Sequence, residues 1–186
     1  MFLQESVTQP WAQRATEQLA RLSARQGGPS RHRQPVGIIG PGDAGSRECD
    51  AAHAVAGQLA LAGIAIACGG RGGVMEAASR GAANAAGQVI GFMPEGDASG
   101  ANAWLTLVLP TGMGEMRNAL IARSSLCLIA IGGGMGTLSE MALGLKWQKP
   151  VFTLYEEFRL PGAIAAGDVD ELTARVAQWL VEAGEG

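Results

Sequence analysis

Residues 132–140, Gly-Gly-Gly-Met-Gly-Thr-Leu-Ser-Glu, combine a glycine-rich turn with a carboxylate. The apolar run before the turn, residues 126–131, predicts a buried strand, and residues 138–147 after it have a helical pattern. A glycine-rich turn between a strand and a helix leaves backbone N–H groups uncovered and points the positive end of the helix dipole at them. We therefore expect this turn to bind a phosphate group, through Gly133, Gly134, Met135, Gly136 and Thr137.

Glu140 adds a carboxylate that a phosphate site does not need. A carboxylate beside a ribose could stabilise the positive charge that develops when a glycosidic bond breaks. Thr137 and Glu140 also have the spacing of a capping box, in which the carboxylate only accepts a hydrogen bond from a backbone N–H. Spacing alone does not separate these two interpretations. The turn lacks the Lys-Ser/Thr pair of a P-loop, which excludes nucleoside triphosphate hydrolysis by that route.

A second glycine-rich turn, residues 69–73, also lies between a predicted strand and a predicted helix. Four of its five residues are glycine, which is costly in backbone entropy, whereas a plain turn needs only one or two. We therefore expect a ligand to approach the backbone of Gly69, Gly70, Gly72 and Gly73 closely. Arg71 is a candidate ligand for an anion, and the alternative for it is a solvated loop residue.

A third turn, residues 40–45, formally matches the Gly-x-Gly-x-x-Gly pattern after the first predicted strand. A dinucleotide site also requires an acidic residue at the end of the second strand, where it holds the ribose. That strand ends at Cys68 without a carboxylate, and Pro41 stiffens the turn. We therefore do not expect NAD binding. Gly40 and Gly42 are candidates either for facing a phosphate or ribose or for a plain tight connection.

Arg117 lies in a predicted helix over residues 114–124. An arginine on a semi-apolar helix face is usually a surface residue whose charged end reaches solvent. The neighbouring Gly112 and Gly114 free the backbone before the helix and favour a functional site instead. Arg117 and Glu140 are accordingly the candidate catalytic residues, should the protein be an enzyme.

Composition excludes several classes of protein. A chain of 186 residues can bury a full core, and a net charge of -3 provides no basic surface for nucleic acid. Neither an apolar leader nor a run of about 18 apolar residues is present, so we expect no membrane contact and a cytoplasmic location. The three cysteines lack Cys-x-x-Cys spacing and the two histidines lack metal-ligand spacing, so we expect neither a metal site nor disulfides.

The order of the elements predicts an α/β fold. Trp11, Ala15, Leu19 and Leu22 recur at helical spacing and predict an amphipathic helix that ends near residues 27–29. This helix and a polar linker form an N-terminal segment, residues 1–34, before a domain over residues 35–186. The later predicted helices are 51–62, 74–86, 114–124, 137–147 and 169–183, and the predicted strands are 36–39, 64–68, 88–93, 104–109, 126–131 and 150–155.

Strands and helices alternate along the domain, which predicts a Rossmann-like parallel sheet with helices on both faces. Such sheets bind ligands at the carboxyl ends of their strands. All three glycine-rich turns follow predicted strands, so we expect them to meet in space at that edge.

These motifs resemble those of the LOG-like proteins, a superfamily once labelled lysine decarboxylase-like, over about residues 35–155. The superfamily motif Pro-Gly-Gly-x-Gly-Thr-x-x-Glu is similar to residues 132–140, with Gly132 in place of the proline. Its Met-x-x-Arg-Lys motif is similar to the segment that ends at Arg117, with Asn118 in place of the lysine. Its Gly-Gly-Gly-x-x-Gly-Leu-Met-Gly turn is similar to the segment from residue 69, with Glu76 where glycine is usual. With these departures, the motifs of this chain are more similar to those of the molybdenum cofactor carrier branch.

The resemblance implies alternative functions. Like the carriers, the chain would bind a phosphorylated pterin, most simply the molybdenum cofactor, and require no other cofactor. Like the Lonely Guy enzymes, it would instead hydrolyse AMP or a cytokinin riboside monophosphate to the base and ribose 5-phosphate, using Glu140 and Arg117. A third interpretation, a nucleotide-sensing or scaffold module, has only the N-terminal helix in its support. The resemblance also implies a homo-oligomer, either a dimer or a tetramer.

Overall fold

The computed structural model describes residues 10–183, and these form a seven-stranded parallel sheet with six α-helices. The strand order is β4-β3-β2-β1-β5-β6-β7, which confirms the predicted Rossmann-like α/β fold. The chain winds outward from β1 to β4 and then crosses back to place β5 on the other side of β1. The strands are β1 (Val36–Ile39), β2 (Ile66–Cys68), β3 (Val89–Met93), β4 (Leu107–Pro110), β5 (Leu128–Ile131), β6 (Val151–Leu154) and β7 (Ile164–Ala165).

Helices cover both faces of the sheet, because side chains of the central strands alternate between two apolar cores. In β5, Ile129 and Ile131 face one core, which α1, α2, α3 and α6 complete, whereas Leu128 and Ala130 face the other, which α4 and α5 complete. The helices are α1 (Trp11–Gln26), α2 (Ser46–Leu61), α3 (Val74–Asn84), α4 (Asn118–Ser124), α5 (Met135–Lys146) and α6 (Val169–Glu182), and a 3₁₀ turn, Gly114–Arg117, precedes α4.

The N-terminal helix α1 packs on α6, and its Leu22 is fully buried in the larger core. Trp11 at its start lies beneath two guanidinium groups, those of Arg14 at 4.3 Å and Arg175 at 5.3 Å from the ring centroid. In the linker after the helix, His32 Nε2 lies 2.6 Å from the carbonyl oxygen of Leu180 in α6. The predicted amphipathic helix is therefore confirmed, and residues 1–9 of the predicted segment lie outside the described residues.

Helices α2 and α3 meet backbone to backbone. A Cβ atom added at Gly81 in α3 would lie 2.1 Å from the carbonyl oxygen of His53 in α2, and one at Gly57 would lie 3.2 Å from the carbonyl oxygen of Gly81. Only glycine fits at such a contact, since 2.1 Å is far inside van der Waals distance. These two helices follow the turns at residues 40–45 and 69–73, so their close contact fixes the two turns relative to each other.

Several predicted boundaries were wrong. Helix α2 begins at Ser46 rather than residue 51, because its polar first turn carries no apolar periodicity. Helix α5 begins at Met135 rather than Thr137. The predicted helix over residues 114–124 is a 3₁₀ turn followed by a short α-helix, and the two-residue strand β7 was not predicted.

Among the helices described, none is long and apolar enough to cross a membrane. All three cysteines are free. Cys68 and Cys127 are fully buried, as expected for cysteines in the predicted strands, and Cys49 in α2 is half-buried. Burial raises the pKa of the Cys127 thiol to about 12, so this group stays protonated and inert at neutral pH.

Candidate functional site

The three glycine-rich turns meet at the carboxyl ends of the strands and enclose a cavity of about 470 Å³. The cavity lies at the position where the strand order reverses, between β1 and β5, which is where open α/β sheets bind ligands. Ten of the predicted site residues line it: Gly40, Gly42, Gly69, Arg71, Gly72, Arg117, Gly134, Gly136, Thr137 and Glu140.

Four further predicted residues do not line this cavity. Gly70, at φ +78°, and Gly73, at φ +62°, are held by packing, because an added Cβ would lie 2.4 Å from Met93 Sδ and from the carbonyl oxygen of Pro41, respectively. Gly133 lines a smaller cavity of about 250 Å³ beside β6, and the side chain of Met135 is exposed at the surface. Packing therefore explains two of the glycines that the sequence assigned to ligand approach.

The first turn of α5 presents free backbone donors to the cavity. The first hydrogen bond of the helix runs from the N–H of Leu138 to the carbonyl oxygen of Gly134, at 2.9 Å. The N–H groups of Met135, Gly136 and Thr137 therefore have no acceptor within the helix. Free donors at the positive end of a helix dipole can bind an anion, and Gly136 and Thr137 of this turn line the cavity.

The capping interpretation of Glu140 was wrong. The residue before α5 is Gly134, and Thr137 is the third residue inside the helix, so Glu140 lies beyond the first turn and cannot reach its free N–H groups. The Glu140 side chain is instead 7% exposed and lines the cavity. No described residue donates a hydrogen bond to its carboxylate.

Burial raises the pKa of Glu140 to about 8, and the guanidinium of Arg117 opposes this shift. The nearby carboxylate of Glu115 adds to it. A carboxyl with this pKa is mostly protonated at neutral pH and can donate a hydrogen bond or a proton. Glu140 therefore differs from an ordinary surface carboxylate in what it can do to a ligand.

Arg117 is buried and lines the cavity, at the junction of the 3₁₀ turn and α4. Its Nε donates a hydrogen bond of 3.0 Å to the carbonyl oxygen of Phe92 in β3, and its Nη1 donates to Asn118 Oδ1. A Cβ at Gly69 would lie 2.8 Å from Nη2, so glycine at that position makes room for the guanidinium. The arrangement holds a buried positive charge beside the free N–H groups of α5.

Asn118 connects this arginine to the first turn of α5, a role that the sequence analysis did not predict. While Oδ1 accepts from Arg117, Nδ2 donates to Ser139 Oγ at 2.8 Å. Ser139 Oγ in turn donates to the carbonyl oxygen of Gly136 at 2.7 Å. The replacement of the family lysine by Asn118 was the signal in the sequence, since an amide can accept from the guanidinium where an ammonium cannot.

The remaining charges around the cavity are partly neutralised. Arg71 forms an ion pair with Glu95, so it is less available to an anion than the sequence implied. Asp43 and Glu115 also line the cavity and were not predicted. The lining therefore provides donors at α5 and Arg117 and acceptors at the carboxyl groups, a combination suited to a ligand with an anionic end and a polar, N–H-rich end.

A larger cavity, of about 710 Å³, lies at the opposite edge of the sheet, between the linker after α1 and the ends of α2 and α3. Its charged residues, such as Arg31 and Arg33, are exposed, and helices end there rather than begin. By volume alone, this cavity would be the better candidate for a ligand site. The smaller cavity is the better candidate chemically, because only it contains buried ionisable groups beside free helix N–H donors.

Solved structures of other proteins share this fold. The structure is similar to that of the molybdenum cofactor binding protein from the phototrophic bacterium Rippkaea orientalis, with 34% identity, a TM-score of 0.74, and coverage of 78% of this chain and 97% of that chain. It is also similar to the Moco carrier protein from Chlamydomonas reinhardtii, with 33% identity, a TM-score of 0.74, and coverage of 81% and 99%.

A protein of Archaeoglobus fulgidus is 38% identical over 119 residues, which are 64% of this chain and 78% of that protein. The predicted resemblance to LOG-like proteins near the carrier branch is confirmed. Residues 33–178 match the SLOG cluster4 family, and because this match covers most of the chain, the protein belongs to that family.

Proposed function

We propose that the protein binds a phosphorylated pterin of the molybdenum cofactor type in the cavity at the carboxyl ends of the strands. The main observation in support is the set of free N–H groups at the start of α5 together with the buried guanidinium of Arg117. Backbone donors and a guanidinium together make charge-assisted hydrogen bonds to phosphate oxygens. The choice of ligand is supported by the similarity to the molybdenum cofactor binding protein of Rippkaea and the Moco carrier protein of Chlamydomonas.

The rest of the cavity fits the other end of such a ligand. A pterin ring carries several N–H donors, and Asp43, Glu115 and Glu140 provide acceptors around the cavity. A volume of about 470 Å³ is in the range that holds a small organic ligand. In this function the molybdenum is cargo held by the pterin, and the residues of this chain bind and shield the ligand without chemistry on it.

The test is native mass spectrometry of protein freshly purified from cells that make the molybdenum cofactor, with chromatography of the released ligand. We expect a pterin phosphate to co-purify with the wild-type chain and to be lost from Arg117→Ala. The matched control is Arg33→Ala at the opposite edge of the sheet, which should retain the ligand. Wild-type protein without any pterin, or an Arg117→Ala protein with full occupancy, would contradict the proposal.

A second function, hydrolysis of a nucleoside 5′-monophosphate, has one specific observation in its favour. The buried carboxyl of Glu140 has a pKa of about 8, so at neutral pH it holds a proton that it could give to a departing base. The free N–H groups of α5 would hold the 5′-phosphate, and Arg117 would stabilise negative charge on the leaving side. The same cavity thus suits a substrate as well as a cargo.

Incubation with AMP separates the two functions. Release of adenine and ribose 5-phosphate by the wild-type chain, abolished in Glu140→Gln and kept in Glu182→Gln on the surface of α6, would establish the hydrolase. Intact AMP, together with a co-purified pterin, would establish the carrier. Equal hydrolysis by wild type and Glu140→Gln would exclude the catalytic role of Glu140.

A further inference from the structure

The glycine-rich turn at residues 69–73 is held by the loop that follows β3. The backbone N–H of Asn102 in this loop donates a hydrogen bond of 2.9 Å to the carbonyl oxygen of Gly70. The side-chain Nδ2 of Asn102 donates to the carbonyl oxygens of Gly70 and Arg71, at 3.1 Å each. The main chain of Arg71 is therefore fixed, and its side chain can change position without disturbing the turn.

The side chain of Arg71 lines the cavity, but it is paired with a carboxylate that does not. Its Nη2 donates a hydrogen bond to Oε1 of Glu95 in the loop after β3, and Glu95 is not among the residues that line the cavity. The side chain of Arg71 is 47% exposed and that of Glu95 is 32% exposed. Ion pairs with this much exposure contribute little to stability, because water and dissolved ions screen the charges. An anion in the cavity can therefore compete with Glu95 for this guanidinium.

The carboxylate of Glu95 is only half satisfied by this pair. Its Oε1 accepts from Arg71, whereas its Oε2 is buried and accepts a hydrogen bond from no described residue. A buried acceptor without a donor costs free energy, and arginine can form two parallel hydrogen bonds to a carboxylate where the geometry allows it. The pair between Arg71 and Glu95 is thus one that a better acceptor can displace.

We propose that the phosphate end of the ligand displaces Glu95 from Arg71, so that Arg71 is a second anion ligand and Glu95 is the residue that competes for it. In the free protein Arg71 pairs with Glu95, and in the bound protein it donates to phosphate oxygens beside Arg117. Phosphate oxygens accept strong charge-assisted hydrogen bonds from a guanidinium. The two guanidinium groups reach the same space, because Gly69 in the turn that carries Arg71 lies against Nη2 of Arg117.

The competing carboxylate limits the affinity of the site and assists release. Glu95 stays beside the turn after displacement, because its carbonyl oxygen accepts a hydrogen bond of 2.9 Å from the N–H of Gly112. It can therefore pair with Arg71 again as the ligand leaves. This inference rests on the proposed function, since a carrier must release its ligand. Co-purification of a pterin tests that function, whereas the phosphate affinity of variants at Arg71 and Glu95 tests the inference, so either can fail alone.

The experiment is calorimetric titration with inorganic phosphate of wild type, Glu95→Gln, Arg71→Ala and the double variant, with circular dichroism to check folding. We expect Glu95→Gln to bind phosphate about 5-fold more tightly, since a neutral amide does not form an ion pair with the guanidinium. Arg71→Ala should bind about 10-fold more weakly. The double variant should match Arg71→Ala, because without the guanidinium Glu95 has nothing to compete for.

The matched control is Asp97→Asn, which removes one negative charge from the same loop and keeps an oxygen that can accept from Ser99. It should bind phosphate with wild-type affinity. Unchanged or weaker binding by Glu95→Gln would overturn the proposal, as would wild-type affinity in Arg71→Ala. An equal gain from Glu95→Gln with and without Arg71, or an equal gain from Asp97→Asn, would show a general charge effect and overturn it as well. Absence of phosphate binding in all these proteins would have the same meaning.

Discussion

The two edges of the sheet carry cavities of opposite character. At the carboxyl edge, α2, α3 and α5 begin, and a cavity of about 470 Å³ contains the buried Arg117 and Glu140. At the amino edge, α2 and α3 end, and a cavity of about 710 Å³ is lined by exposed arginines, small side chains and glutamines. Helix dipoles therefore favour anions at the first edge and oppose them at the second.

The comparison of the two cavities shows that the larger volume does not identify the candidate functional site. A buried ionisable group costs free energy, and a fold retains such a group only where the surroundings or a ligand offset that cost. The amino-edge cavity contains no buried ionisable side chain among the residues described around it, so we expect changes at its exposed residues to have little effect on anion binding. Matched changes at the two edges should therefore have unequal effects.

Arg117→Ala should have the largest effect on binding. Loss of the guanidinium removes charge-assisted hydrogen bonds to an anion, so we expect affinity for inorganic phosphate to fall by roughly 100-fold. Arg33→Ala at the amino edge should leave it unchanged. The measurement is the rise in Tm with added phosphate, which follows binding to the folded state. Equal losses in the two variants would remove the contrast between the edges.

Glu140 should make stability depend on pH. The folded pKa of about 8 exceeds the ordinary value of 4.5, so the folded chain holds one proton more than the unfolded chain between these values. Stability therefore falls as pH rises through this window, by roughly 5 kcal/mol in total at about 1.4 kcal/mol per pKa unit, and is restored toward low pH. In Glu140→Gln the free energy of unfolding should depend less on pH, while Glu182→Gln should show the same pH dependence as wild type. Urea unfolding at pH 5 to 8 measures it, and parallel curves for all three proteins would refute the shift.

Gly136→Ala should separate binding from folding. Nothing lies within 4 Å of a Cβ at this position, and alanine is the better helix former, so stability should hold or rise slightly. The new methyl group would crowd a phosphate at the start of α5, and we expect about a 10-fold loss of phosphate affinity. Gly27→Ala, whose Cβ also meets only ordinary contacts at the amino edge, should bind as wild type. Unchanged affinity in Gly136→Ala would place the ligand elsewhere.

Ser139→Ala should have the smallest effect. It removes one acceptor of Asn118 Nδ2 but leaves the contact of Asn118 with Arg117, so the guanidinium loses orientation and not charge. We expect about a 3-fold loss of phosphate affinity by calorimetry, a net change typical of one neutral hydrogen bond. Ser23→Ala at the amino edge is the control and should bind phosphate with wild-type affinity. A loss as large as that in Arg117→Ala would mean that Asn118 and Ser139 contact the ligand directly.

The sequence predicted the sheet and the meeting of the three turns, because apolar runs of four to six residues followed by glycine are a strong pattern for buried parallel strands. The sequence predicted the wrong start for α5. Thr137 and Glu140 have the spacing of a capping box, but the helix begins at Met135. Gly70 and Gly133 could not be separated from Gly134 and Gly136 either. Which glycine faces a cavity and which faces a packed side chain depends on neighbours distant in sequence, such as Met93 and Glu157.

The links among Arg117, Asn118 and Ser139 could not be predicted for the same reason. Asn118 and Ser139 are 21 residues apart and meet only because α4 and α5 pack side by side. The pKa of Glu140 likewise depends on how far the fold removes it from water, and spacing in the sequence contains no measure of that.

The backbone contact between Gly57 and Gly81 has a consequence for how the molecule opens. Where Gly57 and Gly81 meet, no side chain lies between α2 and α3 that could rearrange to fill a gap, so we expect even a slight separation there to be unfavourable. Their amide hydrogens should therefore exchange with deuterated solvent as one cooperative unit, at a common rate. The turns at residues 40–45 and 69–73 precede these two helices, so we expect both turns to be released together, with the cavity either assembled or open.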